Sequence, residues 1–194
     1  LFTLLVTAIL LLVSFFVYYV TSLERLDAFN QRLRNRAGNN AQIFSLFHDI
    51  DSSRAVLLEI DSASVFPLPR KSVGIYNQQD KRIYTFDSDP ADTLVISSNI
   101  LHEARLNNEF YFTSRDRQAV AFYYTENTNR FVVVVAAYDE DGWIRLEELK
   151  KILLISVFTG IAIAAIAGYV FSLQLVKPIA RIIHEVKDIS SHNL

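Results

Sequence analysis

Two long apolar runs bracket a mixed segment in this chain. The first run covers residues 1–20 and the second covers residues 152–176, and neither contains a charged residue. At about 1.5 Å of rise per helical residue, each run is long enough to cross a hydrocarbon layer about 30 Å thick. The pattern therefore predicts transmembrane helices at residues 1–21 and 152–176, with residues 22–151 together on one side of the membrane.

The charge of the short C-terminal flank predicts the orientation. Lys177, Arg181 and Lys187 closely follow the second apolar run, and short cationic flanks stay in the cytoplasm. We therefore expect a two-pass membrane protein with a cytoplasmic C-terminal tail and with residues 22–151 outside the cytoplasm. The first run is longer than the apolar core of a signal peptide and lacks an Ala-x-Ala site, so we expect a retained helix.

Apolar positions at helical spacing continue past the first run. From Leu23 to Ala37 they recur between charged side chains, and no Pro or Gly intervenes before Gly38. The first membrane helix is therefore predicted to continue outward through this stretch without a flexible joint. Further helix is expected around residues 43–47, and a short helix around residues 55–60.

The second half of the outer segment has the pattern of strands. Two short apolar stretches at residues 73–76 and 83–86 flank a polar loop of hairpin length. The pattern of a short helix follows at residues 100–106, and those of three further strands follow at residues 109–113, 119–124 and 131–137. The last strand contains four consecutive valines, so we expect it in the centre of the sheet. Apolar positions from Ile144 then predict a helix that is continuous with the second membrane helix through Val176.

Composition excludes several classes of chemistry. The net charge is −2 and there is no cysteine, so neither a nucleic-acid partner nor a disulfide framework, thiolate metal site or thiol nucleophile is expected. The sequence contains no Gly-rich phosphate loop and no arrangement typical of a catalytic site. We therefore expect a non-catalytic chain without a metal or cofactor of its own.

Two acidic loops have two possible interpretations. Their clustered carboxylate oxygens could hold Ca²⁺ or Mg²⁺, or the carboxylates could simply be solvated. The first loop contains Asp87, Asp89 and Asp92, and the second loop contains Asp139, Glu140 and Asp141. Neither loop has the spacing of an EF-hand.

Arginines and aromatic side chains lie close together in the strand region. Arg115 and Arg117 fall between two predicted strands that contain Tyr111, Phe122 and Tyr124. Aromatic walls with a guanidinium group suit a small anionic ligand in a pocket. In the alternative interpretation, both arginines lie in a solvated turn and the aromatic rings belong to the core.

Small residues recur every four positions in the second apolar run. Gly160, Ala164 and Gly168 would lie on one face of a helix. Small residues at this spacing let helices approach closely in lipid, which predicts a packing face. The alternative is chance, because membrane helices are rich in Ala and Gly.

The order of the predicted elements resembles that of a known class of sensor domains. A long helix, short helices, a hairpin, a helix, three antiparallel strands and an exit helix are similar to the extracytoplasmic PAS-like domains of bacterial receptors, of the PDC or single-Cache type. The resemblance covers residues 22–151. It implies an α+β fold in which an antiparallel sheet of about five strands follows a long N-terminal helix.

The tail, residues 177–194, resembles the start of a HAMP domain. Pro178 and Ile179 directly follow the second apolar run, and Ile182 begins a heptad-like apolar series. In that family a Pro just after the second membrane helix precedes a coiled-coil helix. The resemblance therefore implies that Pro178, Ile179 and Ile182 transmit the signal inward.

A sensor domain, membrane helices and HAMP in this order resemble a two-component sensor histidine kinase first, and a methyl-accepting chemoreceptor or diguanylate cyclase receptor next. A membrane-anchored scaffold protein without signalling output is the third class, and Pro178 with its apolar heptads argues against it. The chain does not begin with Met and stops inside a helical pattern. We therefore expect part of a longer protein, whose output domain follows Leu194.

The resemblance to a kinase also implies partners. We expect a homodimer in a lipid bilayer that responds to an outside stimulus or small ligand, which the sequence does not identify. A kinase core beyond this chain would bind ATP and Mg²⁺, make the complete protein an enzyme and phosphorylate a cytoplasmic response regulator.

Overall fold

The structure is a computed structural model that describes residues 2–46, 52, 55–56, 59, 68–90, 92–126 and 129–176. The chain divides into two compact units. One is Leu1–Ser22 with Arg145–Leu194, which we call the apolar unit, and the other is Leu23–Ile144, which we call the sheet unit. Half of the residues of the short helix expected around residues 55–60, and all of the tail at residues 177–194, lie outside the described residues.

The first helix, α1, is continuous over Phe2–Leu46. The prediction that the first helix continues outward beyond the apolar run, to about Arg36, is confirmed, and the helix also continues past Gly38. A glycine inside a helix costs about 1 kcal/mol relative to alanine. Burial of the neighbouring face, with Leu33, Ala37 and Ala41 fully buried in the core, offsets this cost. Helix α1 thus contributes residues to both units.

The sheet unit contains a five-stranded antiparallel sheet, so its fold class is α+β as predicted. Strands β1 and β2 form the expected hairpin, and helix α2 precedes strands β3 to β5, which form an antiparallel meander. The bounds are Ser72–Tyr76 for β1, Arg82–Asp87 for β2, Ser98–Asn107 for α2, Glu109–Ser114 for β3, Arg117–Glu126 for β4 and Asn129–Ala137 for β5. The order across the sheet is β2-β1-β5-β4-β3, which confirms that the valine-rich strand is central.

Both faces of the sheet are covered, which explains the uninterrupted valines of β5. Val133 and Val135 belong to a core that includes Phe29 and Leu33 of α1. Val132 and Val134 belong to the opposite core, which includes residues of α2 and of the segment that precedes it. Successive side chains of a strand point to opposite faces, so a strand buried on both sides has no polar position.

The exit helix differs from the prediction at both ends. Helix α3 covers Glu140–Phe171 and is followed by a π-helix at Ser172–Val176. The predicted start at Ile144 is wrong by one turn, because Asp139 caps the helix and Gly142 lies inside its first turn. The predicted end at Val176 is helical but not α-helical. Proline has no backbone N–H, so Pro178, two residues further along the sequence, has no donor for an α-helical hydrogen bond to the carbonyl of Gln174.

Two helices are long and apolar enough to cross a membrane, within the described part of the chain. They are the helical stretches at Thr3–Leu46 and Glu140–Gln174. The apolar residues of the first stretch up to residue 20 are mostly exposed, as are those of the second beyond residue 151. Exposed apolar surface of this extent is compatible with a lipid environment.

Candidate functional site

The five residues predicted to bind a ligand are distributed over both faces of the sheet. Phe122 and Tyr124 pack against the core that contains α1, and the Tyr124 hydroxyl lies 3.1 Å from the Ser45 hydroxyl of that helix. Tyr111 is paired with Val120 of the same face. Arg117 alternates with these positions along β4 and faces the other side. The structure therefore does not form one aromatic-walled pocket from all five, and their role in binding a ligand stays a prediction.

Among the described residues, Arg117 is the most buried charged side chain, with only 2% of its surface exposed. Its Nη1 donates to the Ser72 hydroxyl at 2.7 Å, and its Nη2 donates to the backbone carbonyl of Asp92 at 3.1 Å. The same Nη2 lies 3.4 Å from Asp92 Oδ1. The interpretation of a solvated turn thus applies to Arg115, whose side chain is 73% exposed, but not to Arg117.

Asp92 is the centre of an ionic cluster at the end of the sheet. Arg70 Nη2 donates to Asp92 Oδ2 at 2.5 Å, and Arg115 Nη1 donates to Asp92 Oδ1 at 2.9 Å. Arg70 Nη1 also donates to Asp116 Oδ2 at 2.5 Å. We call these four residues together with Arg117 the Asp92 cluster. Its three guanidinium groups and two carboxylates leave a formal charge of +1.

Two members of the Asp92 cluster have an unusual backbone conformation. Arg70 has φ of 50° and Arg115 has φ of 58°, in the left-handed region that residues other than glycine, Asn and Asp rarely adopt. Such a conformation costs on the order of 1 kcal/mol per residue and persists where surrounding contacts determine it. Arg115 is the first residue of the two-residue turn between β3 and β4, a position at which hairpin turns require positive φ, and both arginines form an ion pair with Asp92.

The arginines of the Asp92 cluster lower the pKa values of its two carboxyl groups. The hydrogen bond from Arg70 holds the pKa of the Asp92 carboxyl below its ordinary value, and the charges of Arg117 and Arg115 add to the effect. The hydrogen bond from Arg70 also lowers the pKa of Asp116. A carboxyl with a lowered folded-state pKa stabilises the fold above its unfolded pKa of about 3.9, and this contribution is lost as the pH falls through the folded pKa.

We expect a fragment of residues 22–151 to keep a constant melting temperature from about pH 8 to about pH 5 and to lose stability below about pH 4. In Asp92→Asn the melting temperature at neutral pH should be lower and its fall with acid shallower. Asp141→Asn, at an exposed carboxylate, is the control and should keep the parental slope. Equal slopes in Asp92→Asn and the parent, measured by thermal unfolding in a pH series, would contradict this prediction.

One aspartate of each acidic loop forms ion pairs with arginines. Asp92 of the first loop belongs to the Asp92 cluster, and Asp139 of the second forms an ion pair with Arg25. In the described part of the chain, no group of three or more His, Cys, Asp or Glu side chains is placed to hold a metal ion.

A second set of polar contacts connects α1 with the first turn of α3 inside the sheet unit. Arg25 Nε lies 2.8 Å from Asp139 Oδ2, and the Arg25 guanidinium carbon lies 4.0 Å from the centroid of a Trp143 ring. Asp139 Oδ1 accepts a hydrogen bond from the Gly142 N–H at 3.1 Å, so Asp139 is the N-cap of α3. We call Arg25, Asp139, Gly142 and Trp143 the helix junction. The sequence interpretation missed it, although an Asp just before a helical pattern is a recognised start signal.

Gly142 is required by the close approach of the Asp139 carboxylate. A Cβ atom at this position would lie 2.1 Å from Asp139 Oδ2 and 2.6 Å from its Cγ. Gly142→Ala gains about 1 kcal/mol of helix propensity but should displace the cap, at a cost of about 0.5–2 kcal/mol. It should also separate the mostly buried Arg25–Asp139 pair, which adds at least about 1 kcal/mol.

We therefore expect Gly142→Ala to lower the free energy of unfolding by about 1 kcal/mol. Gly38→Ala is the matched control, because a Cβ at Gly38 meets nothing within 4 Å, and it should stabilise by about 0.5–1 kcal/mol. Urea unfolding of the fragment of residues 22–151 measures both. A stabilised Gly142→Ala would show that the cap contributes little.

In the apolar unit, small residues of α3 lie near side chains of α1. A Cβ at Gly160 would lie 2.7 Å from Leu10 Cδ1, and a Cβ at Gly168 would lie 3.6 Å from Thr3 Oγ1. Ala164, between the two glycines, is buried. The predicted positions thus lie where the two apolar helices approach each other. The predicted transmission residues Pro178, Ile179 and Ile182 lie outside the described residues.

No protein family, curated protein or solved structure matches this chain.

Proposed function

We propose that this chain senses an extracytoplasmic stimulus and transmits it across a membrane, as the receptor part of a two-component sensor histidine kinase. One observation carries the proposal. Helices α1 and α3 each contribute to the sheet unit and to the apolar unit without an α-helical break, and the helix junction connects them within the sheet unit. A change in the sheet unit can then reach both apolar helices through helical segments, as in known helix shifts of about 1–2 Å.

The fold supports a sensor role for the sheet unit. The sheet is antiparallel and five-stranded and follows a long N-terminal helix, and α2 lies between the hairpin and the three-stranded meander. This element order is similar to that of PAS-like domains. We propose that residues 22–151 are such a domain, outside the cytoplasm of a bacterium, between two passes through the inner membrane.

The proposed output lies beyond the described residues. Pro178, Ile179 and Ile182 would begin a HAMP helix that passes the signal to a kinase core, in a homodimer whose phosphoryl acceptor is a response regulator. The π-helix at Ser172–Val176 lies next to this segment, and π-helical turns are frequent at functional sites. A chemoreceptor or a diguanylate cyclase receptor would use the same input and membrane parts, and the residues after Leu194 distinguish these classes.

The test of transmission inserts Gly-Gly-Ser-Gly into either helix of the complete protein, after Ser22 or after Leu149. Autophosphorylation from ATP and Mg²⁺ in membranes is measured while the pH, salt and small solutes of the outside medium are varied. We expect each insertion to fix the output at one level, because a flexible segment interrupts the helix. The same insertion after Gln79, in the β1–β2 loop, is the control and should preserve the response.

Two outcomes would count against the proposal in different ways. A normal response with insertions in both helices would rule out transmission through them. Absence of any phosphorylated histidine in the complete protein would exclude a kinase, and a methylated coiled coil after Leu194 would then favour the chemoreceptor.

A further inference from the structure

We propose that Arg70, Arg115 and Arg117 form a binding site for a small carboxylate anion, and that the Asp92 side chain occupies this site as a tethered substitute. The inference names the ligand class of the proposed sensor and rests on that function for its biological role. The binding itself depends only on the Asp92 cluster.

The geometry of the cluster is that of a carboxylate receptor. Arg70 donates to one oxygen of Asp92 at 2.5 Å, and Arg115 donates to the other at 2.9 Å. Arg117 lies 3.4 Å from the second oxygen. A free carboxylate presents the same two oxygens, and charge-assisted bonds from guanidinium groups are among the stronger hydrogen bonds in proteins.

The charge of the cluster favours an external anion. With Asp92 and Asp116 in place, the three arginines retain a formal charge of +1. An external monocarboxylate that replaces Asp92 leaves this balance unchanged, whereas a dicarboxylate can also neutralise the remaining charge. The cluster therefore favours a dicarboxylate over a monocarboxylate of similar size.

The cluster also contains an unused donor. Among the described residues, the Arg117 Nε is buried and has no hydrogen-bond partner, on a side chain that is almost completely buried. An unpaired buried donor is unfavourable, and an additional ligand oxygen could accept from it. The intramolecular arrangement thus leaves part of the receptor unsatisfied.

Two arginines of the cluster are accessible to solvent. The side chain of Arg115 is 73% exposed and that of Arg70 is 39% exposed, so an anion can approach them from outside while Arg117 forms the floor. Asp92 lies between β2 and α2, where the described residues 88–90 and 92–97 form neither helix nor strand. Its side chain can leave the arginines without breaking the sheet.

A tethered competitor weakens the apparent affinity for an external ligand. Asp92 has a high effective concentration at the arginines, and an external carboxylate binds only the fraction of molecules in which Asp92 has left. Removing the Asp92 charge should therefore expose the site and strengthen binding.

The experiment uses the 194-residue chain in detergent micelles, with succinate as the probe and its neutral diamide as the chemical control. We expect Asp92→Asn to melt at a lower temperature than the parent in low salt, and millimolar succinate to restore about 3 °C or more. The diamide, and NaCl at matched ionic strength, should not restore it. By calorimetric titration, succinate should bind Asp92→Asn at least about tenfold more tightly than the parent.

Two further variants make the result specific. Asp80→Asn is the matched control, because Asp80 pairs with one guanidinium, that of Arg105, at 2.6 Å, and succinate should not restore its stability. Arg115→Gln added to Asp92→Asn should abolish the effect of succinate. If Asp92→Asn does not fold, Arg115→Gln alone should weaken the binding of succinate to the parent at least about fivefold.

Several results would overturn the proposal. The proposal would be wrong if NaCl restored the melting temperature of Asp92→Asn as well as succinate does, or if succinate restored that of Asp80→Asn equally. It would also be wrong if succinate did not restore a folded Asp92→Asn or, where that variant is unfolded, if the parent bound no succinate. Each would make the Asp92 cluster a purely structural contact. None of these results bears on kinase output or on transmission through the helices, so the proposed function would stand or fall separately.

Discussion

Val134→Asp is expected to abolish folding of the sheet unit. Val134 is 0% exposed in the central strand, where it is paired with Gly74 on one side and Ala121 on the other. A carboxylate at this position would be buried among apolar side chains without a cationic partner, which costs several kcal/mol. Domains of this size are stable by only about 5–15 kcal/mol, so most of the folded population should be lost.

The measurement is thermal unfolding of the fragment of residues 22–151. We expect the parental fragment to fold without the apolar helices, because the sheet unit has its own cores on both faces of the sheet. Val95→Asp is the matched control, since Val95 is 85% exposed and the same change there should alter stability by less than about 0.5 kcal/mol. An unchanged melting temperature in Val134→Asp would refute the burial of this strand.

Arg117→Met is expected to lower the free energy of unfolding by about 3 kcal/mol, at the lower end for a broken buried pair. Methionine fills a similar apolar volume but donates no hydrogen bond. The Ser72 hydroxyl, the Arg70 carbonyl and the Asp92 carbonyl would each lose a donor. Asp92 would still be paired with Arg70 and Arg115, which is why a larger loss is not expected.

The matched control for Arg117→Met is the same substitution two residues earlier. Arg115→Met also removes an ion pair with Asp92, but from an exposed side chain, and such pairs contribute at most about 1 kcal/mol. Urea unfolding of the fragment of residues 22–151 should therefore separate the two variants clearly. Equal losses would mean that the burial of Arg117 adds nothing to its contacts.

The sequence alone determined the local structure of most of the chain. The hairpin, α2 and the three later strands lie where the apolar periodicity placed them, and the four valines predicted the central strand. The course of α1 as far as Gly38 followed from the lack of Pro and Gly before that residue, whereas its continuation to Leu46 did not. These features depend on neighbouring residues, because burial on one face gives a periodic apolar pattern and burial on both faces gives a continuous apolar run.

Only the tertiary structure decided how the polar residues combine. Alternation along β4 placed Arg117 on the face opposite Phe122 and Tyr124, and so divided the predicted ligand site. Asp92 contacts Arg117 because the segment between β2 and α2 reaches the first residue of β4. Arg25 contacts Asp139 because α1 packs against the sheet. Such partners are distant in sequence. No local pattern specifies them, because ion pairs form between whichever elements the packing of the cores brings together.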